Sequence, residues 1–273
     1  MEPLLLGAVA YDPKVVTIWE GFRRWFVEHD LPFDYVLYSN YERQVEDLVD
    51  GRLDVAWNSP LAWVRALRLY PAARAVAMRN TDRDLTSLIV VRADSDITRV
   101  QGLEGKVVAT GAIDSPQSTL LPLALLRGLD VTVQRSDVGV GLHGDHIGGE
   151  REAAMALAAG EVDAACIIDS NHLLFTKEGV LPTNGSRIIA QTPPYDHCNM
   201  TVAGSASPHL ASFVSMLIGM DYADADVRPL LDLEGLTRWV PGRLSGYQQL
   251  ESAVDEFKFY DKGGKETADG YRP

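Results

Sequence analysis

The sequence predicts an α/β protein of two lobes of similar topology, with a ligand cleft between them. Three observations lead there. In the first half of the chain, apolar strand-like runs alternate with amphipathic helical ones. That is the rhythm of a mostly parallel sheet with helices on its faces. The rhythm breaks after about residue 70 and starts again at Lys106. One step also occurs twice: Asp50-Gly51-Arg52-Leu53-Asp54-Val55-Ala56 is echoed by Ala159-Gly160-Glu161-Val162-Asp163-Ala164-Ala165. Each is a helix end, a glycine, and a strand opening on an apolar-Asp-apolar-Ala step. A chain of 273 residues is long enough for two modest cores. Ligands of open α/β sheets bind beyond the carboxyl ends of the strands, so two facing lobes place a site between them.

The elements follow in order. Leu4 to Ala10 reads as the first strand. Lys14 to Glu28 is a helix because Val15, Ile18, Trp19, Phe22 and Phe26 recur at helical spacing. Phe33 to Tyr38 is a strand, and Tyr41 to Asp50 a helix stopped by Gly51. Leu53 to Trp57 and Pro60 to Leu69 complete the alternation. Ala75 to Met78 and Ser87 to Val91 are strand-like and flank Arg79 to Asp84, whose alternating charge reads as a solvated turn or inter-lobe ion pairs. Asp94 to Gly105 is loop-rich, so the first lobe takes 1–92 and 199–273, the second takes 93–198, and the chain crosses near 92 and 198.

In the second lobe Val107 to Thr110 is a strand, Gln117 to Arg127 a helix and Val131 to Gln134 a short strand. Ser136 to Gly149 is a glycine-rich loop, Glu150 to Ala159 a helix and Val162 to Ile168 a strand. Ile188 to Gln191 and Met200 to Ala203 are strands; Pro208 to Met220, Asp226 to Leu231 and Tyr247 to Phe257 are helices. The polar tail from Asp261 is expected to be loosely ordered.

Bulk properties remove some function classes. A net charge of −13 repels phosphate backbones, so nucleic acid is not an expected partner. A small anion stays possible, because a site can be locally positive inside a negative protein. No apolar run approaches the length of a membrane helix, so no membrane insertion is expected. Met1-Glu2-Pro3 leads straight into a strand-like run with no basic residues before it. The sequence as given therefore reads as cytoplasmic, or as periplasmic if a leader was removed. Cys166 and Cys198 allow one disulfide at most, and Cys166 lies in an apolar run suited to core packing.

The segment Gly111 to Thr119 follows a strand and opens a helix, with Ser115 as N-cap and Pro116 in the first helical position. Free backbone N–H groups at such a start, beside Ser115, Gln117, Ser118 and Thr119, form an anion site. Asn58 and Ser59 before Pro60 repeat the arrangement in the first lobe, and Tyr11 and Trp57 would supply walls. His143-Gly144-Asp145-His146 and Asp196-His197-Cys198 offer imidazole, carboxylate and thiol. His143 joins the ligand-binding candidates. The whole set can bind a metal or supply a base and a nucleophile, but no spacing matches a metal signature, and neither metal nor cofactor is expected.

These segments, in this order, resemble the phosphate/phosphite/phosphonate-binding family of ABC-transporter solute-binding proteins, from roughly Leu5 to Val254. The likeness is carried by Asp54-Val55-Ala56-Trp57-Asn58-Ser59-Pro60-Leu61-Ala62, Leu103-Glu104-Gly105-Lys106-Val107-Val108-Ala109 and Asp114-Ser115-Pro116-Gln117-Ser118-Thr119. The resemblance implies a type II periplasmic-binding-protein fold with two crossing segments and hinge closure over the ligand. It implies that Ser115 to Thr119 hold the oxyanion, that Asn58-Ser59-Pro60 form the facing wall, and that an ABC-transporter permease is a partner. The expected function is binding of a small anion, phosphonate- or phosphate-like or a carboxylate. The alternative is a cytoplasmic enzyme of lyase or isomerase type on the same scaffold. There His146 or His197 would move a proton, Asp145 or Asp196 would orient it, and Cys198 would act as nucleophile or metal ligand.

Overall fold

The structure, a computed structural model, describes residues 2–137, 145–204 and 207–271. In chain order the first stretch holds β1 (Leu4–Val9), α1 (Lys14–Glu28), β2 (Phe33–Tyr38), α2 (Tyr41–Val49), β3 (Val55–Asn58), α3 (Pro60–Leu69) and β4 (Arg74–Arg79). The middle stretch holds β5 (Ser87–Arg92), β6 (Val107–Thr110), α4 (Leu121–Gly128), β7 (Gln134–Asp137), α5 (His146–Ala159), β8 (Ala164–Ile168), α6 (Asp169–Lys177) and β9 (Ser186–Gln191). The last stretch holds β10 (Asn199–Val202), α7 (Leu210–Ile218), α8 (Arg228–Glu234), β11 (Trp239–Pro241) and α9 (Gln248–Glu256).

Among the described residues the strands form two sheets, ordered β11-β4-β10-β3-β1-β2 and β7-β6-β8-β5-β9. In each, the parallel strands come from the βα units, and the strands next to the crossings pair antiparallel. The first core lies around α1, whose Trp19, Phe22 and Phe26 pack with Phe33, Phe213 and Trp239. Each of these fully buried aromatics contributes about 1.5–3 kcal/mol through removal from water. Trp63, Tyr195 and Tyr247 of one cluster touch Leu120, Leu121 and Ile168 of the second lobe, so an apolar layer joins the lobes.

The internal echo has a physical basis. Asp54 donates its N–H to the Leu5 carbonyl and accepts the Leu5 N–H on its carboxylate, both at 2.9 Å. Asp163 makes the same pair of 2.9 Å bonds with Val107. In each lobe this aspartate ties the opening of one parallel strand to its neighbour, β3 to β1 and β8 to β6. The preceding Gly51 and Gly160 both have φ of 76°, a left-handed turn that favours glycine.

Several elements differ from expectation. β5 pairs with β8 and β9, so the first crossing lies between Arg79 and Ser87, upstream of residue 92. From sequence, two apolar runs around a polar turn look like a hairpin, and only the pairing shows that they belong to different sheets. The return crossing lies between Gln191 and Asn199, and Leu85 and Tyr195 bridge the two. α5 begins at His146 rather than Glu150, because Asp145 caps it by accepting the Gly148 N–H at 3.0 Å. Its Gly149 lies so close to the Gly111–Ala112 backbone that a Cβ would meet Ala112 N at 3.4 Å. β7 starts at Gln134, later than expected, and α6 and β11 were not foreseen. α6 buries only Asn171 and Phe175, too few to set a periodic pattern, and β11 is three residues long.

The tail is docked rather than loose. Phe259 packs its ring 4.9 Å from both Tyr260 and Tyr271. The Tyr271 hydroxyl donates to Glu42 Oε1 at 2.6 Å, and Arg65 donates to the Gly264 carbonyl at 2.8 Å. A polar composition concealed these aromatic anchors. Both cysteines are free and buried, with no disulfide between them. Among the described residues, no helix is long and apolar enough to cross a membrane.

Candidate functional site

A cavity of about 410 Å³ opens between the two sheets, lined from both lobes and from the crossings. The first lobe contributes Tyr11 after β1, Lys14 at the start of α1, Tyr41 at the start of α2, Trp57 of β3 and Ser59, the N-cap of α3. The second lobe contributes Gln117, Asp145, His146, Ser170 and Asn171. The crossings bring Arg79, Thr81, Asp82, His197 and Cys198, and the C-terminal end of α8 brings Glu234. Most of these follow the carboxyl end of a strand, where the sheets leave backbone and side chains free to face a ligand.

At the crossings the charges are heavily paired. Arg79 donates to both Asp82 oxygens, at 2.5 and 2.8 Å, and to the Glu234 carbonyl at 2.9 Å. Its guanidinium lies 5.2 Å from the Trp57 ring centre, a cation–π contact. Burial alone would raise the Asp82 pKa, yet the Arg79 charge and the neighbouring His197 hold it below the usual carboxylate value. Burial likewise opposes the Arg79 charge, and Asp82 outweighs it, so the guanidinium is held firmly protonated. Burial pushes the Glu234 carboxyl up to about 7 despite Arg79. The cationic charge of Arg79 is therefore largely offset within the protein.

His197 links the lobes. Its Nε2 lies 3.2 Å from Gln117 Oε1, and its Nδ1 lies 3.1 Å from Cys198 Sγ and 3.5 Å from Asp82 Oδ1. With the proton on Nε2, Gln117 Oε1 accepts it and Nδ1 accepts from the Cys198 thiol; with the proton on Nδ1, the ring donates toward Asp82. Burial lowers the His197 pKa, which keeps the ring neutral. Burial, then the Asp82 charge, push the Cys198 thiol well up. On the other side of Gln117, Glu150 is fully buried and accepts the Ile168 N–H at 2.8 Å and the Asn171 amide at 3.1 Å. Burial raises its pKa to about 7, against the Ile168, Asn171 and Gln117 donors.

The candidates from sequence divide into two groups. Tyr11, Trp57, Ser59, Gln117, Asp145, His146, His197 and Cys198 meet in the cavity. Asn58, Ser115, Ser118 and Thr119 do not line it. Asn58 is fully buried, donating to Thr201 Oγ1 at 2.9 Å and accepting from Gln44 at 2.8 Å. Ser115 caps the π-helical turn Pro116–Leu120 and shares a 2.7 Å bond with the Ser118 hydroxyl, while Thr119 donates to the Ala112 carbonyl at 2.7 Å. His143 lies outside the described residues.

The two expected His–Asp couples do not form. Asp145 is spent on capping α5, and His146 Nε2 faces Asp114 at 3.5 Å. Asp196 is fully buried under Arg243, with contacts of 2.6 Å to both oxygens, and His197 faces Asp82. Neighbours in an extended or capping segment point apart, so adjacency in sequence misassigned both partners. A thiol held protonated and a neutral imidazole tied to Gln117 make a poor nucleophile–base pair.

Lys14, Tyr41, Asp82 and Glu234 were missed as site residues. Lys14 and Tyr41 follow the ends of β1 and β2, and the strand-end rule could have found them. Asp82 lies in the segment read as a solvated turn or inter-lobe ion pairs, and it does pair with Arg79 at the crossing; Glu234 arrives from a helix distant in sequence, with no local signal.

A family model described as "ABC transporter, phosphonate, periplasmic substrate-binding protein" matches residues 9–247. The probable ABC transporter phosphite binding protein PhnD1 of Prochlorococcus marinus (strain MIT 9301) is 21% identical over 238 residues, covering 81% of this chain and 77% of that protein. The structure of PhnD1 in complex with methylphosphonate aligns with a TM-score of 0.72 at 17% identity, over 94% of this chain and 98% of that one. The periplasmic aliphatic sulphonate binding protein SsuA of Escherichia coli aligns with a TM-score of 0.63 at 17% identity, over 100% and 95%. The two-sheet fold is thus that of periplasmic binding proteins.

Proposed function

Because the chain belongs to the phosphonate family of periplasmic ABC-transporter substrate-binding proteins, we propose that it binds a small phosphonate- or phosphite-like oxyanion in the inter-lobe cavity. Hinge closure would bury the anion, and a transporter permease would receive it. The proposed compartment is the periplasm, that of the family. The observation carrying this reading is the convergence of donors from both lobes on one cavity, Lys14, Tyr41 and Ser59 from one side and Gln117 and His146 from the other. His146 Nε2 is buried, makes no hydrogen bond within the protein and faces Asp114 Oδ1 at 3.5 Å, so a ligand oxygen could take it as a donor. Burial raises the pKa of Tyr11 and Tyr41, which keeps both phenols as neutral donors. Ser115, Ser118 and Thr119 enter as a proposed second layer. The mutual Ser115–Ser118 bond braces the turn that presents Gln117 to the cavity. Asn58 holds the facing wall in place through Thr201 and Gln44.

A handful of such bonds in a closed, low-dielectric cleft supports micromolar affinity, about −8 kcal/mol. The test is a tryptophan-fluorescence titration with methylphosphonate, reported by Trp57 in the cavity wall. Gln117→Ala and His146→Ala should each weaken binding by about 1–3 kcal/mol. Wild-type affinity in both variants would remove these residues from the site.

A further inference from the structure

We propose that Asp82, His197 and Cys198 form a binding site for a borderline-soft divalent metal ion of the zinc type, at the junction of the two crossing segments. The donor atoms already stand close to the required positions. His197 Nδ1 is 3.1 Å from Cys198 Sγ and 3.5 Å from Asp82 Oδ1, and all three ligand atoms lie within 4.8 Å of one another. Tetrahedral zinc, with bonds of about 2.0–2.1 Å to nitrogen and oxygen and about 2.3 Å to sulfur, needs ligand separations of about 3.3–3.6 Å. One nitrogen, one sulfur and one oxygen suit zinc or cobalt and disfavour magnesium and calcium, which take all-oxygen shells.

The surroundings prepare the site. Gln117 Oε1 stands 3.2 Å from His197 Nε2, so in the tautomer that metal binding selects it accepts the Nε2 proton while Nδ1 turns its lone pair toward the metal. Asp82 is fixed by Arg79, which uses one lone pair on each carboxylate oxygen and leaves another on Oδ1 facing His197. The His197 N–H donates to the Asp82 carbonyl at 2.8 Å, which locks the two crossing segments in register. All three residues line the cavity, so a fourth coordination position opens onto it.

The charges balance as well. On binding, the thiol loses its proton to solvent and a metal–thiolate bond forms, with no change of oxidation state. The thiolate and the Asp82 carboxylate then face the divalent ion. The site does not depend on the identity of the anion, because its ligands come from the protein alone.

The test uses the full chain with Co2+ alone, followed by displacement with Zn2+. One equivalent of Co2+ should produce a thiolate-to-cobalt charge-transfer band that Zn2+ removes. Cys198→Ser should abolish the band and weaken Zn2+ binding by at least about a hundredfold, and Gln117→Ala, which only orients His197, should weaken it about tenfold. Cys166→Ser, in the core of β8, should leave the band intact. No band in the wild type, or a band that survives Cys198→Ser, overturns the proposal. If a variant fails to fold, the wild type still decides. Zn2+ binding followed calorimetrically in buffers of different ionisation enthalpy should release about one proton at neutral pH as the thiol becomes a thiolate, and binding without proton release overturns the site.

Discussion

Glu150 sits behind Gln117 and Asn171, two of the residues that line the cavity. It is fully buried, accepts from Ile168 and Asn171, and stands beside Gln117. Burial raises its pKa from 4.5 to about 7. A carboxyl with a raised folded-state pKa contributes its full stability below the unfolded value and loses it as pH rises through the folded one. The protein should therefore lose stability between about pH 4.5 and pH 7–8, by about 3 kcal/mol from this group. Urea unfolding of wild type and Glu150→Gln at pH 5 and pH 8.5 checks this. The variant should be less sensitive to pH by about that amount, and an identical pH dependence would contradict the assignment. Glu234, also raised to about 7, acts in the same direction and remains in both proteins. At this scale Tyr11, Trp57, Ser59, Gln117, Asp145, His146, His197 and Cys198, singled out in the sequence, line the cavity, while Asn58, Ser115, Ser118 and Thr119 do not. The sequence could not show their partners. His197 faces Asp82 across the crossings, and such long-range pairing leaves no local trace.

At the scale of elements, the repeated aspartate is the clearest case of structure legible in sequence. Asp54 and Asp163 recur at the same place in the helix–glycine–strand step because each satisfies a backbone N–H at the opening of a parallel strand. Asp54→Ala and Asp163→Ala each leave one such N–H without its side-chain acceptor. Each should cost about 1–3 kcal/mol in chemical denaturation, with the two losses of similar size. Unchanged stability in either would show that the echo is only punctuation. Elements with strong periodicity, such as α1 with its buried face of Val15, Ile18, Trp19, Phe22 and Phe26, were legible to the residue. The start of α5 was not, because Gly148 and Gly149 resemble a loop. Gly148 leaves room for the capping Asp145 carboxylate, and Gly149 lies against the Gly111–Ala112 backbone. The tail was hidden for a related reason, its order depending on Glu42 and Arg65, far away in the chain.

The two crossings are joined by the Leu85–Tyr195 bridge and the His197–Asp82 backbone bond, and a side chain ties them as well. Arg243 grips both oxygens of Asp196 on the return crossing at 2.6 Å and Asp84 on the outward one at 2.7 Å. Arg243→Met would leave the fully buried Asp196 carboxylate without its counter-charge. The expected loss is about 3 kcal/mol, toward the lower end for a buried pair because Arg243 is partly exposed. Adding Asp196→Asn should recover part of it, and an additive double variant would show that the two do not interact. Two lobes were legible from the break and restart of the βα rhythm, but the first crossing was not, because strand pairing decides it. The central claim is that this cleft captures a small phosphorus oxyanion, and isothermal titration calorimetry tests it most directly. Methylphosphonate, phosphite, phosphate and an aliphatic sulphonate would be titrated in turn into the folded protein. At least one phosphorus oxyanion should bind one-to-one with a Kd of about micromolar or tighter, and more tightly than the sulphonate. Folded protein that binds none of the phosphorus oxyanions at millimolar concentration would contradict it.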